Sequence, residues 1–149
     1  MTIKEITILA FVKSINEELN VKFTDEENYF ETATNTINLN LSDIDDCGFL
    51  RHLHEIHKCK FTYDFPLALW TILHEIGHYE TEWELLEDDD EAELRFWLSL
   101  TGENDAHNTT IQDKYYNLTA EWCATEWAIE WIEDNFEYAK MMGEYLKGV

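Results

Sequence analysis

The stretch Leu67-Ala68-Leu69-Trp70-Thr71-Ile72-Leu73-His74-Glu75-Ile76-Gly77-His78-Tyr79 decides the fold of this 149-residue chain. Its first part is apolar on most sides, which predicts a helix buried in the core. Asp64 is the predicted N-cap, and Pro66 falls in the first turn, where its missing N–H costs nothing. We therefore predict that this segment, the central helix of the chain, is buried.

His74 and His78 are four residues apart, so on a helix their side chains project from one face. Both imidazoles can then reach a single metal ion. Glu75 follows His74 directly and points beside such a metal, where it can take a proton from bound water without being a ligand. Polar groups inside a buried helix are costly unless they have partners, and a metal satisfies these. The pattern predicts a zinc site; the alternative is two core histidines that have this spacing by chance.

A third protein ligand has to come from elsewhere in the chain. In metzincins the motif continues through a glycine to a third histidine. Thr81 and Glu84 stand at those two positions here. Without the glycine the chain does not readily turn back towards the two histidines after the helix. Glu84 is therefore disfavoured as the third ligand.

Glu121, on a later predicted helix, fits the gluzincin arrangement better. The residues three, four and seven positions after it are small, so this helix can approach the histidine helix closely. They are Ala124, Thr125 and Ala128. Glu126 and Glu130 remain open as alternative ligands, and Glu121 could instead be a first-turn acid in a favourable contact with the helix dipole.

Taken together, the segments Leu73–His78 and Glu121–Ala128 resemble the ImmA/IrrE family of metallopeptidases, which shows HE(L/I)GH and then a helix of the form E-x-x-A-x-x-aromatic-A. The resemblance covers mainly residues 64–132, and Ile129–Ile132 replaces the family's Leu-Leu-Met-Pro-like continuation. It implies Zn²⁺ held by His74, His78 and Glu121, with Glu75 as catalytic base, in a compact α+β core. It also implies a phage or mobile-element protein, since the best-known members cleave a repressor.

The remaining sequence predicts a single domain over residues 1–149 of the α+β class, mostly helical, with a small sheet in the N-terminal third. Thr2-x-x-Glu5 is a capping box that opens a helix to about Leu19. The buried candidates of this helix are Ile6, Leu9, Val12 and Leu19. Two or three short strands follow, at Val21–Phe23 and between Tyr29 and Leu41, where Ile37, Leu39 and Leu41 alternate with Asn38 and Asn40 as in a half-buried strand.

Further helices are predicted on both sides of the central one. Ser42-x-x-Asp45 caps a helix to about Lys58, and helical sequence resumes near Thr110, with a break at Asn117. The later helices run from Leu118 to Asn135 and from Phe136 to Lys147. Between them and the central helix lie an acidic stretch, Glu82–Glu93, and an apolar segment, Leu94–Leu100.

Two other groups of residues invite a functional interpretation. His52, His54, His57 and Cys59 crowd one helix end. They could form a second metal site, but His54 and His57, three residues apart with no acidic or cysteine partner on the same face, are more typical of a solvated surface. His107, Tyr115 and Tyr116 are candidates for the group that stabilises an oxyanion, and the sequence does not choose among them.

The charge is extreme: ten Lys and Arg face 32 Asp and Glu, a formal net charge of −22. Such a field repels phosphate, so we expect no direct binding to DNA or RNA. It favours a basic partner, or lets the surface imitate nucleic acid; the densest acidic run is Glu87–Glu91. We expect a solvated acidic surface.

The composition also bounds the location of the protein. The N-terminus lacks a basic region leading into an apolar stretch, and no apolar run reaches the about 18 residues of a membrane span. Three cysteines without a Cys-x-x-Cys pair favour neither disulfides nor a zinc ribbon. We predict a cytoplasmic protein without membrane contact.

Two functions are consistent with these features. The first is a zinc metallopeptidase that hydrolyses a peptide bond in an unknown protein substrate, for which a regulatory protein is a candidate. The second is an acidic interaction or inhibitor protein for a host partner, in which the zinc is structural or vestigial. The intact Glu75 favours the first, because a structural site has no use for a base. The sequence does not indicate the oligomeric state.

Overall fold

A computed structural model describes residues 1–26, 28–31, 33–42, 47–82 and 118–147. These ranges are mostly helical and hold a small sheet in the N-terminal third, which confirms the predicted α+β class. The helices are α1 (Ile3–Ile15), α2 (Cys47–Glu55), α3 (Leu67–Glu82), α4 (Thr119–Asp134) and α5 (Phe136–Leu146), with a 3₁₀ turn at Thr62–Asp64. The strands are β1 (Asn20–Phe23), β2 (Tyr29–Glu31) and β3 (Thr36–Leu39).

Helix α1 begins at the predicted capping box. Thr2 Oγ1 accepts from the Glu5 backbone N–H at 3.1 Å, and Glu5 Oε1 accepts from the Thr2 N–H at 2.8 Å. The helix ends before Asn16, whose side-chain oxygen accepts from the Glu18 N–H and turns the chain. It therefore stops short of the predicted end at Leu19, which is nevertheless fully buried.

The buried face of α1 differs from the predicted one. Ile8, Phe11 and Val12 are buried, whereas Ile6 is exposed and Leu9 only half-buried. Almost every side of this helix carries an apolar residue, so its periodicity does not select a face. Phe11 fixes the buried face by packing edge-on against Trp131 of α4 and Tyr138 of α5, with ring centroids 5.7 and 5.4 Å away.

The sheet has the order β1-β3-β2, with β1 parallel and β2 antiparallel to the central strand β3. The tight connection between β2 and β3 contains Asn35 at φ 50°, a left-handed conformation that asparagine tolerates better than most residues. Ile37, Asn38 and Leu39 are all buried, and since neighbouring residues of a strand point to opposite faces, both faces of β3 are covered. The prediction of a half-buried strand was therefore wrong for its asparagines.

Asn40, just beyond β3, is also buried, and its side chain organises the adjacent loops. Its amide donates to the Glu26 carbonyl at 2.7 Å, and its oxygen accepts from the Ser42 hydroxyl at 2.7 Å. These bonds account for a polar residue at a position where the alternating pattern indicated solvent.

Helix α2 ends at Glu55, three residues before the predicted end. Lys58 adopts φ 58°, and the N–H of Cys59 donates to the Leu53 carbonyl at 3.1 Å, so the chain turns back after the helix. The Trp70 indole N–H then donates to the buried Thr62 carbonyl at 3.0 Å, which ties the 3₁₀ turn to α3. The predicted cap at Asp45 lies outside the described residues.

Helix α3 is buried, as its apolar sequence predicted, and it lies at the centre of the described fold. Its first hydrogen bonds run to the Pro66 carbonyl, so the helix begins just after the proline rather than at Asp64. It contacts β2, β3 and α5, and it packs most extensively on α4. Its fully buried residues are Leu69, Trp70, Ile72, Leu73 and Ile76.

Helices α4 and α5 match the two predicted C-terminal helices closely. Several predictions concern residues outside the described ranges, and the structure does not test them. These residues are Glu84, Glu87–Glu91, Leu94–Leu100, His107, Tyr115 and Tyr116. Within the described ranges, no helix combines the length and the hydrophobicity that a bilayer-spanning segment requires.

Candidate metal centre

The site lies where α3 crosses α4, and the absence of a side chain at Gly77 makes this crossing possible. A Cβ atom at Gly77 would lie 2.4 Å from the carbonyl oxygen of Ala124 and 3.0 Å from its Cα. The two backbones are therefore in direct contact at this point. Thr125 and Ala128, the other small residues of the predicted docking face, are buried in the same interface.

Three side chains converge beside this crossing. His74 Nε2 lies 3.0 Å from Glu121 Oε2, and His78 Nε2 lies 2.8 Å from the same oxygen. The side chains of His74 and Glu121 are almost completely buried, whereas that of His78 is 16% exposed. The structure thus brings together the three residues that the sequence singled out as ligands, with access from solvent on the His78 side.

The electrostatics of this cluster favour a cation. Burial alone would raise the pKa of the Glu121 carboxyl, but the charge of His78 and hydrogen bonds from both imidazoles hold that pKa well below its usual range. Glu121 is therefore an anion in the protein interior. A buried anion facing two nitrogens is stabilised by positive charge, either protons on the imidazoles or a metal ion.

The donor set fits zinc. Two imidazole nitrogens and one carboxylate oxygen are ligands typical of catalytic zinc sites, which leave a fourth position for water. Bonds of about 2.0–2.2 Å in a tetrahedron separate neighbouring ligand atoms by about 3.3 Å. The separations of 2.8 and 3.0 Å between the nitrogens and the carboxylate oxygen come close to this, so small side-chain shifts would suffice.

Glu75 is nearly buried on the same helix, with 7% of its surface exposed. Its position directly after His74 places it on the next face of α3, not among the three converging side chains. This is the position that the sequence predicted for a base beside a metal.

The His74 ring is enclosed on several sides. Thr125 Oγ1 lies 3.1 Å from His74 Nδ1, and it also donates to the Glu121 backbone carbonyl at 2.9 Å. Phe49 of α2 packs edge-on against the ring with centroids 5.0 Å apart. The sequence predicted only a packing role for Thr125. Its spacing puts it one turn from Glu121 but does not show which residue of α3 it contacts.

The alternative ligands on α4 point elsewhere. Glu126 Oε1 lies 3.0 Å from His57 Nδ1, and Glu130 is exposed. Among the described residues, His74, His78 and Glu121 are the one group of three or more such side chains whose ligand atoms lie within 4.8 Å of one another.

Comparisons of the chain with protein-family models, with curated proteins and with solved structures all found nothing similar. The chemistry of this site therefore has to be argued from its own geometry.

The histidines at the end of α2 differ from their prediction. We expected a solvated group, but His52 is fully buried and the side chain of His57 is 0% exposed; only His54 is exposed. His57 stacks on Trp122 with centroids 3.8 Å apart, and its Nδ1 pairs with Glu126. The half-buried indole of Trp122, far away in the sequence, covers the His57 ring and explains why this side chain is not solvated.

His57 should make the stability of the protein depend on pH. Burial lowers the pKa of His57 from its ordinary value of 6.5; Glu126 opposes this shift, and the charge of His74 adds to it. The unfolded chain then binds more protons than the folded one, so this residue's contribution to stability is intact above pH 6.5 and declines as the pH falls below it. Urea unfolding at pH 7.5, 6.5 and 5.5 should show this decline.

The variant His57→Phe keeps a ring on Trp122 and cannot take up a proton, so we expect a weaker decline for it than for the wild type. His54→Gln removes an exposed histidine from the last turn of α2, three residues before His57, and should leave the decline unchanged. Parallel curves for the wild type and His57→Phe, at equal metal content, would show that His57 does not titrate on unfolding.

Proposed function

We propose that this protein is a zinc-dependent metallopeptidase in which His74, His78 and Glu121 hold the metal and Glu75 is the general base. The observation that carries the proposal is the convergence of His74 Nε2 and His78 Nε2 on Glu121 Oε2 beneath the α3–α4 crossing. A purely structural zinc site is usually closed by four protein ligands, whereas only three such side chains meet here among the described residues.

The chain's own residues divide the work. Zinc, when bound, supplies a Lewis acid that polarises a carbonyl and lowers the pKa of water. Glu121 contributes the one negative charge among the ligands, and its carboxylate holds both imidazoles in place. Glu75 takes the proton from the attacking water and can return it to the leaving amine, since its carboxylate is not needed as a ligand.

Burial helps this chemistry. His74 and Glu121 exclude water from one side of the site, and the part-exposed His78 marks the side from which a substrate can approach. Charge interactions are stronger in such a partly enclosed site than in bulk water.

The resemblance to the ImmA/IrrE family supports a protein substrate. That family's two motifs correspond here to Leu73–His78 and Glu121–Ala128, which are the two segments that form the site. We infer a regulatory protein as the substrate, and a phage or mobile element as the setting. The net charge of −22 favours a basic region in that substrate.

The test is the variant Glu75→Gln, which keeps the shape of the side chain and removes the base. The zinc-loaded wild type is incubated with a proteome-derived peptide library, and new termini are identified by mass spectrometry. We expect cleavage by the wild type and a rate about 10²–10⁴-fold lower for Glu75→Gln, with zinc content and folding retained.

Glu80→Gln is the matched control, because it makes the same change on the same helix where the carboxylate accepts from Asn16 at 3.2 Å. It should cleave like the wild type. Equal cleavage by the wild type and Glu75→Gln would remove Glu75 from the mechanism. If the zinc-loaded wild type cleaves nothing, the second function, an acidic interaction protein that retains a zinc ion, takes its place.

A further inference from the structure

We propose that Thr125 is a positioning residue for the metal: it accepts the Nδ1–H of His74 and so holds this imidazole with its Nε2 lone pair directed at the ion. The inference rests on the proposed role of His74 as a ligand. It concerns a residue that neither the motif nor the spacing of the ligands identifies.

The argument begins with the protons of the imidazole. A neutral histidine that binds a metal through Nε2 carries its single ring proton on Nδ1, and that proton needs an acceptor when the ring is buried. His74 is 5% exposed, so water is not the evident acceptor. The atom within hydrogen-bond distance of His74 Nδ1 is Thr125 Oγ1, at 3.1 Å.

A hydroxyl can accept here because its own proton has another destination. Thr125 has one hydroxyl proton, and Oγ1 lies 2.9 Å from the Glu121 carbonyl oxygen, which can only accept. With that proton directed to Glu121, the lone pairs of Oγ1 are available to the Nδ1–H of His74. The result is a donor sequence in which the His74 ring donates to the Thr125 hydroxyl, and this hydroxyl donates to the Glu121 carbonyl oxygen.

This sequence links the two helices of the site. Glu121 and Thr125 are one turn apart on α4, so the helix that supplies the carboxylate also supplies the acceptor for the histidine of α3. The direct contact between Gly77 and Ala124 sets the separation of the helices and brings the Thr125 hydroxyl within reach. Phe49 packs against the same ring and limits its rotation.

The experiment compares Thr125→Val and Thr125→Ser with the wild type. Valine keeps the branched shape and removes the hydroxyl, whereas serine keeps the hydroxyl. The dissociation constant for zinc, measured by competition with a chromophoric chelator, should rise about 10–100-fold in Thr125→Val. It should stay within about 3-fold of the wild type in Thr125→Ser.

Thr62→Val is the structural control. The Thr62 hydroxyl is buried and donates to the Cys59 carbonyl at 2.9 Å, so the variant loses the same kind of bond away from the site. We expect it to bind zinc like the wild type. If Thr62→Val and Thr125→Val weaken zinc binding equally, the effect of Thr125 is general destabilisation and the proposal fails.

A second measurement needs no variant. In the zinc-loaded wild type, ¹⁵N NMR of the imidazoles should show His74 protonated at Nδ1 and unprotonated at Nε2. The opposite tautomer would overturn the proposal even if Thr125→Val does not fold. A wild type that binds no zinc would refute the proposed function itself, and zinc bound with equal affinity by wild type and Thr125→Val would refute only the role of Thr125.

Discussion

Glu121→Ala should lose its zinc. The wild type is expected to hold about one zinc per chain through two histidines and one carboxylate. The substitution removes the one anion of the proposed ligand set, so the loss in affinity should exceed the about 10–100-fold that removing an outer hydrogen-bond partner costs. After dialysis against a weak chelator, elemental analysis and native mass spectrometry should find almost no zinc in this variant.

The same helix provides the controls. Glu126→Ala and Glu130→Ala remove carboxylates that the sequence left open as ligands, but Glu126 pairs with His57 and Glu130 is exposed. Both variants should keep their zinc. Zinc retained by Glu121→Ala, or lost by Glu130→Ala, would show that the ligand set is wrong.

The helix period explains why much of this site could be predicted. Residues four apart on a helix share a face, which places His74 beside His78 wherever α3 lies. The small side chains after Glu121 indicated a helix that docks closely, and α4 does pack on α3 at Ala124. Local spacing sufficed for these predictions, because each depends on residues within two turns of one helix.

The contacts that the sequence did not predict are made between residues far apart in the chain. The sequence shows neither that Trp122 covers His57 nor that Thr125 meets His74, because both need the register between helices far apart in the chain. For the same reason His57 was expected in solvent.

The errors in the fold have a similar origin. Helix α1 is apolar on nearly all sides, so its pattern favoured Ile6, whereas the packing of Phe11 on α4 and α5 buries Ile8. Asn38 followed the alternation of a half-buried strand, but β3 is covered on both faces, so Asn38 is buried as well as Ile37 and Leu39. In both cases tertiary packing overrode a correct local pattern.

Gly77→Ala should destabilise the protein by about 2 kcal/mol and reduce its affinity for zinc. In an unhindered helix, replacing glycine by alanine stabilises by up to about 1 kcal/mol. Here the new Cβ would lie 2.4 Å from the Ala124 carbonyl oxygen, a backbone atom that no side-chain rotation can move away. Overpacking costs about 1–3 kcal/mol and more where backbones must shift, so the clash outweighs the gain in helix propensity.

The consequence for zinc follows from the position of the clash. If α4 moves away at Ala124, Glu121 recedes from both histidines. The midpoint temperature of thermal unfolding and the zinc content should therefore both fall.

Gly143→Ala is the matched control. Its Cβ would meet side-chain atoms of Pro66, Phe65 and Leu69 at 3.2, 3.4 and 3.9 Å, a close but adjustable fit. The free energy of unfolding of this variant should stay within about 1 kcal/mol of the wild-type value, and its zinc should be retained. Moving side chains by a few tenths of an ångström costs about as much free energy as the change from glycine to alanine gains in helix propensity. If Gly77→Ala behaved like Gly143→Ala in both measurements, the two helices would not cross in direct backbone contact, and the close approach of α4 could not be what brings Glu121 to the histidines.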